Sequence, residues 1–109
     1  MSYHAEAQKR YRLRHAEAVR ERDRERCRAI RRAVLALLGG TCVACGIADE
    51  RVLQVDHIDG GGKRHRLERP AWGPYRDMRN ALLAGEGRDR YQLLCRNCHH
   101  IKTTLEERA

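Results

Sequence analysis

Two Cys-x-x-Cys pairs, Cys42 with Cys45 and Cys95 with Cys98, constrain this chain more than any other feature. One such pair alone is ambiguous, because a redox-active dithiol has the same spacing. Two pairs in 109 residues read as one tetrahedral four-cysteine zinc site. Each pair would sit in a tight turn with both sulfurs facing inward, and Gly46 suits the exit from the first turn. Such a site can contribute about 10–16 kcal/mol to folding. A chain with no Phe and one Trp needs that help, because a domain this small buries little apolar surface. The fifth cysteine, Cys27, has no partner at metal spacing and reads as a free thiol without function.

The reading as zinc ligands presumes a reducing compartment, and a cytoplasmic location is expected. No N-terminal stretch has the apolar core of a signal peptide, and the longest apolar run, Ala33 to Leu38, is far too short to span a bilayer. No membrane partner is expected. The formal net charge of +8 points instead to a polyanion, with nucleic acid as the leading candidate.

Most of that charge lies in the first third. Residues 1–34 carry eleven basic and five acidic side chains and no Gly or Pro, a strong helix composition. Arg12, Arg20, Arg24, Arg28 and Arg32 fall on one i, i+4 ridge; Glu17, Glu21 and Glu25 each precede an arginine of that ridge by three residues. Apolar residues at helical spacing begin only at Ile30, with Val34, Leu37 and Leu38 after it. The pattern predicts one helix, packed at its C-terminal end, projecting at its N-terminal end and stopped by Gly39-Gly40. Its arginines either contact phosphates or simply pair with their own glutamates. Residues 1–38 are thus read as a basic arm and 39–109 as the domain proper.

Within that domain, Arg51 to Ile58 has a strand's β-branched character and runs into Asp59-Gly60-Gly61-Gly62, a turn signal. Alternation would send Asp56 and His57 to opposite faces, so a bend is needed for both to serve one site. The pair suits metal-assisted hydrolysis: Asp is a hard oxygen ligand, and His can take a proton from water near neutral pH. Lys63-Arg64-His65-Arg66 follows as a basic loop that either holds a phosphate, with His65 a candidate to approach the site, or is simply solvated. Pro70 and Trp72-Gly73-Pro74 mark a turn, and Tyr75, Met78, Leu82 and Leu83 predict a short helix over 74–84. Tyr91 to Leu94 predicts a second strand, antiparallel to the first. A last helix follows to about Arg108, with His99 and Lys102 near its start. The fold class is α+β.

Cys42-x-x-Cys45, Val55-Asp56-His57-Ile58 with its glycines, and Leu94-Cys95-x-x-Cys98-His99 followed by Lys102-Thr103 together resemble the HNH nucleases of the ββα-metal superfamily. They span about residues 41–103, and the combination is far more specific than any one piece. The glycines, His65-Arg66 and Tyr91-Gln92-Leu93-Leu94-Cys95 look like small nucleases common in phage genomes. The resemblance implies a ββα-metal core, here preceded by the basic helix. It implies cleavage of DNA phosphodiesters to 5′-phosphate and 3′-hydroxyl ends. By position, His57 matches the general base; Asp56 and His99 match the ligands of a catalytic Mg²⁺ or Mn²⁺; Cys42, Cys45, Cys95 and Cys98 match the ligands of a structural Zn²⁺. One position departs: the family's middle Asn, usually five residues before Cys95, is Arg90 here. The insertion offers His65 as a replacement.

The expected activity is therefore metal-dependent DNA hydrolysis. His65, Arg66, Arg96 and Lys102, with Arg20, Arg24 and Arg28 of the arm, are expected to meet the substrate. Expected partners are DNA and phage or host DNA-processing proteins, the compartment then being the host cytoplasm. The rival expectation is a zinc-stabilised DNA-binding or DNA-packaging accessory module without turnover. It would need the cysteines and the charge, but not Asp56, His57 and His99 together.

Overall fold

The computed structural model describes residues 3–69 and 71–108. Pro70, read as part of the turn ahead of the third helix, lies outside the described residues. The chain folds as α1 (Tyr3–Leu37), β1 (Leu53–His57), α2 (Gly62–Glu68), α3 (Gly73–Leu83), β2 (Tyr91–Cys95) and α4 (Arg96–Arg108). It is a small α+β structure: a long N-terminal helix, a two-stranded antiparallel sheet and three shorter helices. Among the described residues, no helix is long and apolar enough to cross a membrane.

Helix α1 has 35 residues, or about 52 Å at 1.5 Å per residue. It accounts for most of the molecule's longest dimension of 60 Å. Up to Ala29 no described side chain of the helix is fully buried; Ile30, Val34 and Leu35 are. The switch follows the sequence, because helical apolar spacing starts at Ile30. Arg31 fastens this end, donating from Nη2 to the carbonyls of Glu50 at 3.0 Å and Leu53 at 2.7 Å. Past Leu37, Gly40 N–H donates to Leu35 O and the chain turns into the first knuckle.

The strands pair with Leu53 opposite Cys95, Asp56 opposite Gln92 and His57 opposite Tyr91. Strand β1 is shorter than the expected 51–58, since Arg51 and Val52 form a turn and Ile58 N–H donates to Arg90 O beyond the strand. Residues 63–66 are helical rather than a loop. Helix α2 fits a single pair of turns between Gly61 and Arg69, with Arg64 bonded to Glu68 along its exposed side. Two apolar clusters meet at the sheet. One joins Leu35, Cys42, Leu53, Leu93, Leu94 and Cys95; the other joins Val34, Met78, Leu82 and Tyr91. Leu93, fully buried at the centre, tests this core. Leu93→Ala is expected to cost about 2–5 kcal/mol, read as a lowered denaturant midpoint with zinc kept saturating.

Candidate metal and catalytic site

The first knuckle turns on itself through Gly46 N–H to Cys42 O and Cys42 N–H to Ile47 O, both 2.9 Å. Val43 N–H donates to Leu93 O, so the knuckle is laid against β2. Cys95 ends β2 and Cys98 lies in the first turn of α4. One sulfur from each of Cys42, Cys45, Cys95 and Cys98 lies within 4.8 Å of all the others, and Cys45 Sγ is 3.7 Å from Cys95 Sγ. Four ligands at a Zn–S distance of about 2.3 Å would have sulfurs about 3.8 Å apart. This set can hold zinc or a similar ion.

The thiols carry the electrostatic mark of such a site. Burial pushes the Cys42 thiol up, but backbone N–H groups of Cys95, Cys45 and Ala44 outweigh it and bring it down to about 6. Cys98 moves the other way: its hydrogen bond with Cys95, then burial, push it up to about 12. Thiolates this close repel one another, and a cation at their centre removes the conflict.

Asp56 is the one buried charged side chain among the described residues, at 5% exposure. Its two oxygens face different partners. Oδ2 accepts from Gln92 Nε2 at 2.9 Å and from Lys102 Nζ at 2.6 Å. Oδ1 faces His99 Nε2 at 3.5 Å. Lys102 also donates to the carbonyls of His57 and Ile58 at 3.0 and 3.1 Å. Burial opposes its charge, yet the Asp56 carboxylate holds the ammonium above its ordinary pKa.

His57 lies on the other face of β1, with its ring edge-on to Tyr91 at 5.2 Å between centroids. Its Nε2 is 2.9 Å from His65 Nδ1, and His65 Nε2 is 2.8 Å from Asp77 Oδ2 on α3. Arg69 Nε reaches the same Asp77 oxygen at 3.2 Å. Burial, chiefly, lowers the His57 pKa; the His65 ring lowers it further, Asp56 opposes, and Arg66 and Lys102 reinforce. The neutral imidazole, the form that can accept a proton, is thereby favoured.

Asp56, His57 and His99 line one cavity of about 430 Å³ with Gly60, Gly62 and Arg66. His100, one residue on, is exposed. The bend expected at Asp56-His57 is not what joins them: the strand stays paired through His57, and the two side chains reach the cavity at its end from opposite faces.

The other candidates separate. The guanidinium groups of Arg66 and Arg96, without a hydrogen-bond or ion-pair partner among the described residues, line a second cavity of about 380 Å³ with Arg31, Arg51 and His99. His65 has both ring nitrogens engaged, and Lys102 is committed to Asp56. Arg20, Arg24 and Arg28 are exposed on α1 and paired with Glu17 and Glu21. Sequence reasoning missed Gln92, Asp77, Arg31 and Arg51. Gln92 was within reach, since pairing Leu53 with Cys95 sets it opposite Asp56. Asp77 carries no local signal, because only tertiary packing of α3 brings it to His65.

Two adjacent residues of α4 should behave differently. Cys98→Ser is expected to lose the bound ion and melt the tertiary structure, seen as metal content and near-UV circular dichroism. His99→Ala is expected to keep both, because His99 carries no sulfur and lies half-exposed at the cavity. No protein-family model, curated protein or solved structure matched this chain, so its chemistry has to be read from its own residues.

Proposed function

We propose that the chain is a metal-dependent DNA endonuclease of the HNH kind, hydrolysing phosphodiester bonds with His57 as general base. The observation that carries the reading is the meeting of Asp56 Oδ1 and His99 Nε2, 3.5 Å apart, at a cavity that the His57 ring also lines. Two adjacent ligands of an octahedral ion with bonds of about 2.1 Å lie about 3 Å apart, so this pair fits a Mg²⁺ or Mn²⁺ that keeps several waters. The succession β1, β2, α4, with the cysteine cluster at the start of α4, supports a ββα-metal core.

A divalent ion bound there would supply charge neutralisation at the scissile phosphate and leaving oxygen. The side chains supply the rest. Lys102 and Gln92 hold Asp56 Oδ2, which fixes the carboxylate and leaves Oδ1 turned to His99. His57 stays neutral and takes the proton of the attacking water. The side chains of Arg66 and Arg96, both without a hydrogen-bond or ion-pair partner among the described residues, are placed to meet neighbouring phosphates. With Arg31 and Arg51 they make the cleft next to the cavity strongly cationic, as a polyanionic substrate requires.

One observation favours the rival, a zinc-stabilised DNA-binding or packaging accessory module. Lys102 already neutralises Asp56 from 2.6 Å, and a carboxylate so paired could be purely structural. Plasmid cleavage separates the two. The chain is expected to nick or cut with Mg²⁺ or Mn²⁺, while His57→Ala binds DNA and does not cut. Absence of cleavage under any divalent ion would leave the accessory module standing.

The arm is tested separately. Replacing Arg20, Arg24 and Arg28 by Ala should weaken DNA binding and flatten its salt dependence, by about 0.9 in log–log slope for each phosphate no longer neutralised. An unchanged slope would mean that these arginines serve only Glu17 and Glu21.

A further inference from the structure

The contact between His57 and His65 has a direction. Asp77 Oδ2 is held by His65 Nε2 at 2.8 Å and by Arg69 Nε at 3.2 Å. Both contacts keep Asp77 ionised: the hydrogen bond from His65, the larger effect, and the Arg69 charge hold its carboxyl below the usual carboxylate range. A carboxylate only accepts hydrogen bonds, so the proton in that contact sits on His65 Nε2. In the neutral ring, His65 Nδ1 then carries the lone pair. The 2.9 Å contact to His57 Nε2 needs one donor, and only His57 Nε2–H can supply it. The remaining nitrogen, His57 Nδ1, is left with its lone pair and has no hydrogen-bond partner among the described residues.

The space around that nitrogen agrees. A Cβ on Gly62 would stand 3.2 Å from His57 Nδ1 and 3.5 Å from Arg66 Nη1, so a glycine at the start of α2 keeps the space between these two groups unfilled. Tyr91 holds the ring edge-on from β2. The charged groups influencing His57 are Asp56 of β1, His65 and Arg66 of α2 and Lys102 of α4. Of these, His65 is the one bonded to a ring nitrogen.

We propose that His65 and Asp77 are positioning residues that fix His57 as the Nε2–H tautomer and leave Nδ1 to accept the proton, with Gly62 keeping room for water there. This rests on the reading of His57 as the base. The device comes from the insertion between the strands: His65 lies on α2, Arg69 directly follows that helix, and α3 supplies Asp77. It does the work of holding the base in a chain whose position 90 is arginine.

The tautomer can be read without substrate. Two-bond ¹⁵N–¹H correlation spectra of the zinc-loaded full chain, labelled at histidine, should show His57 with a protonated Nε2 and a bare Nδ1. In Asp77→Asn the side-chain amide can donate to His65 Nε2. The relay then reverses, and His57 should shift to the Nδ1–H form. Asp77→Glu should restore the original form. In plasmid cleavage, Asp77→Asn should lower kcat by about 10- to 100-fold with KM little changed. Gly62→Ala should also lower kcat, but with the tautomer unaltered.

A native His57 protonated on Nδ1 would overturn the proposal, as would an Asp77→Asn spectrum identical to the native one. If Asp77→Asn does not fold, the native spectrum and Gly62→Ala decide. The expected tautomers without cleavage of any nucleic acid would uphold the relay and remove the nuclease reading. Cleavage with an unmoved tautomer would do the reverse.

Discussion

The four-sulfur cluster is the constraint on which the rest depends. A two-stranded sheet is marginal by itself in water, and the buried core described here holds eleven hydrophobic side chains, two of them cysteines. The cluster joins the knuckle after α1, the end of β2 and the first turn of α4. Its effect reaches the cavity through register. Cys95 is the partner of Leu53, so fixing Cys95 sets every pair along the strands, including Asp56 with Gln92. Cys98 is followed directly by His99, so fixing Cys98 also sets the helical phase that turns His99 toward Asp56. The four-sulfur cluster thereby positions residues on both sides of the cavity.

That coupling explains what is legible in the sequence. Cysteine spacing declares a cluster without knowledge of the fold, because few arrangements serve four sulfurs at a short separation. Helix α1 is legible from composition, and its docking point from the onset of apolar spacing at Ile30. The strands are legible in type but not in extent. Arg51 and Val52 form a turn rather than a strand, and β-branched residues do not distinguish the two. The 63–66 segment reads as a loop because a basic run with almost no apolar residue shows no helical periodicity. In the structure it is a helix with no buried side chain, held where it is by His65 and its contacts with β1 and α3.

Charged side chains in the sequence are ambiguous for a related reason. Lys102 and Arg96 are both cations near the start of α4, and both read as phosphate contacts. One is half-buried against Asp56 while the other lines an open cleft. The difference is rotational: residues 96 and 102 lie about 600° apart on an ideal helix, or about 120° from eclipsed. Only the face on which α4 packs decides which cation meets the carboxylate. The arm has the converse character. Its glutamates sit where they can pair with its arginines, and Glu17 and Glu21 do so. At more than half exposure for the arginines, such pairs are worth little and can be exchanged for phosphate at small cost.

The buried carboxylate brings these threads together. A charge taken out of water is tolerated only if it is paired and hydrogen-bonded. Asp56 meets that condition with Oδ2 alone, through Lys102 and Gln92. Oδ1 is therefore free of structural duty, and it faces His99 at the cavity. Removing Asp56 would strand Lys102 among the carbonyls of His57 and Ile58, so an Asp56 variant would confound loss of the proposed ligand with loss of packing. His57 is less entangled: its ring hydrogen-bonds to His65 alone and packs edge-on against Tyr91, and Lys102 is held by its carbonyl rather than its imidazole. The two residues are adjacent in sequence, yet a His57 substitution leaves no ammonium stranded and so tests the proposed chemistry more cleanly than an Asp56 one.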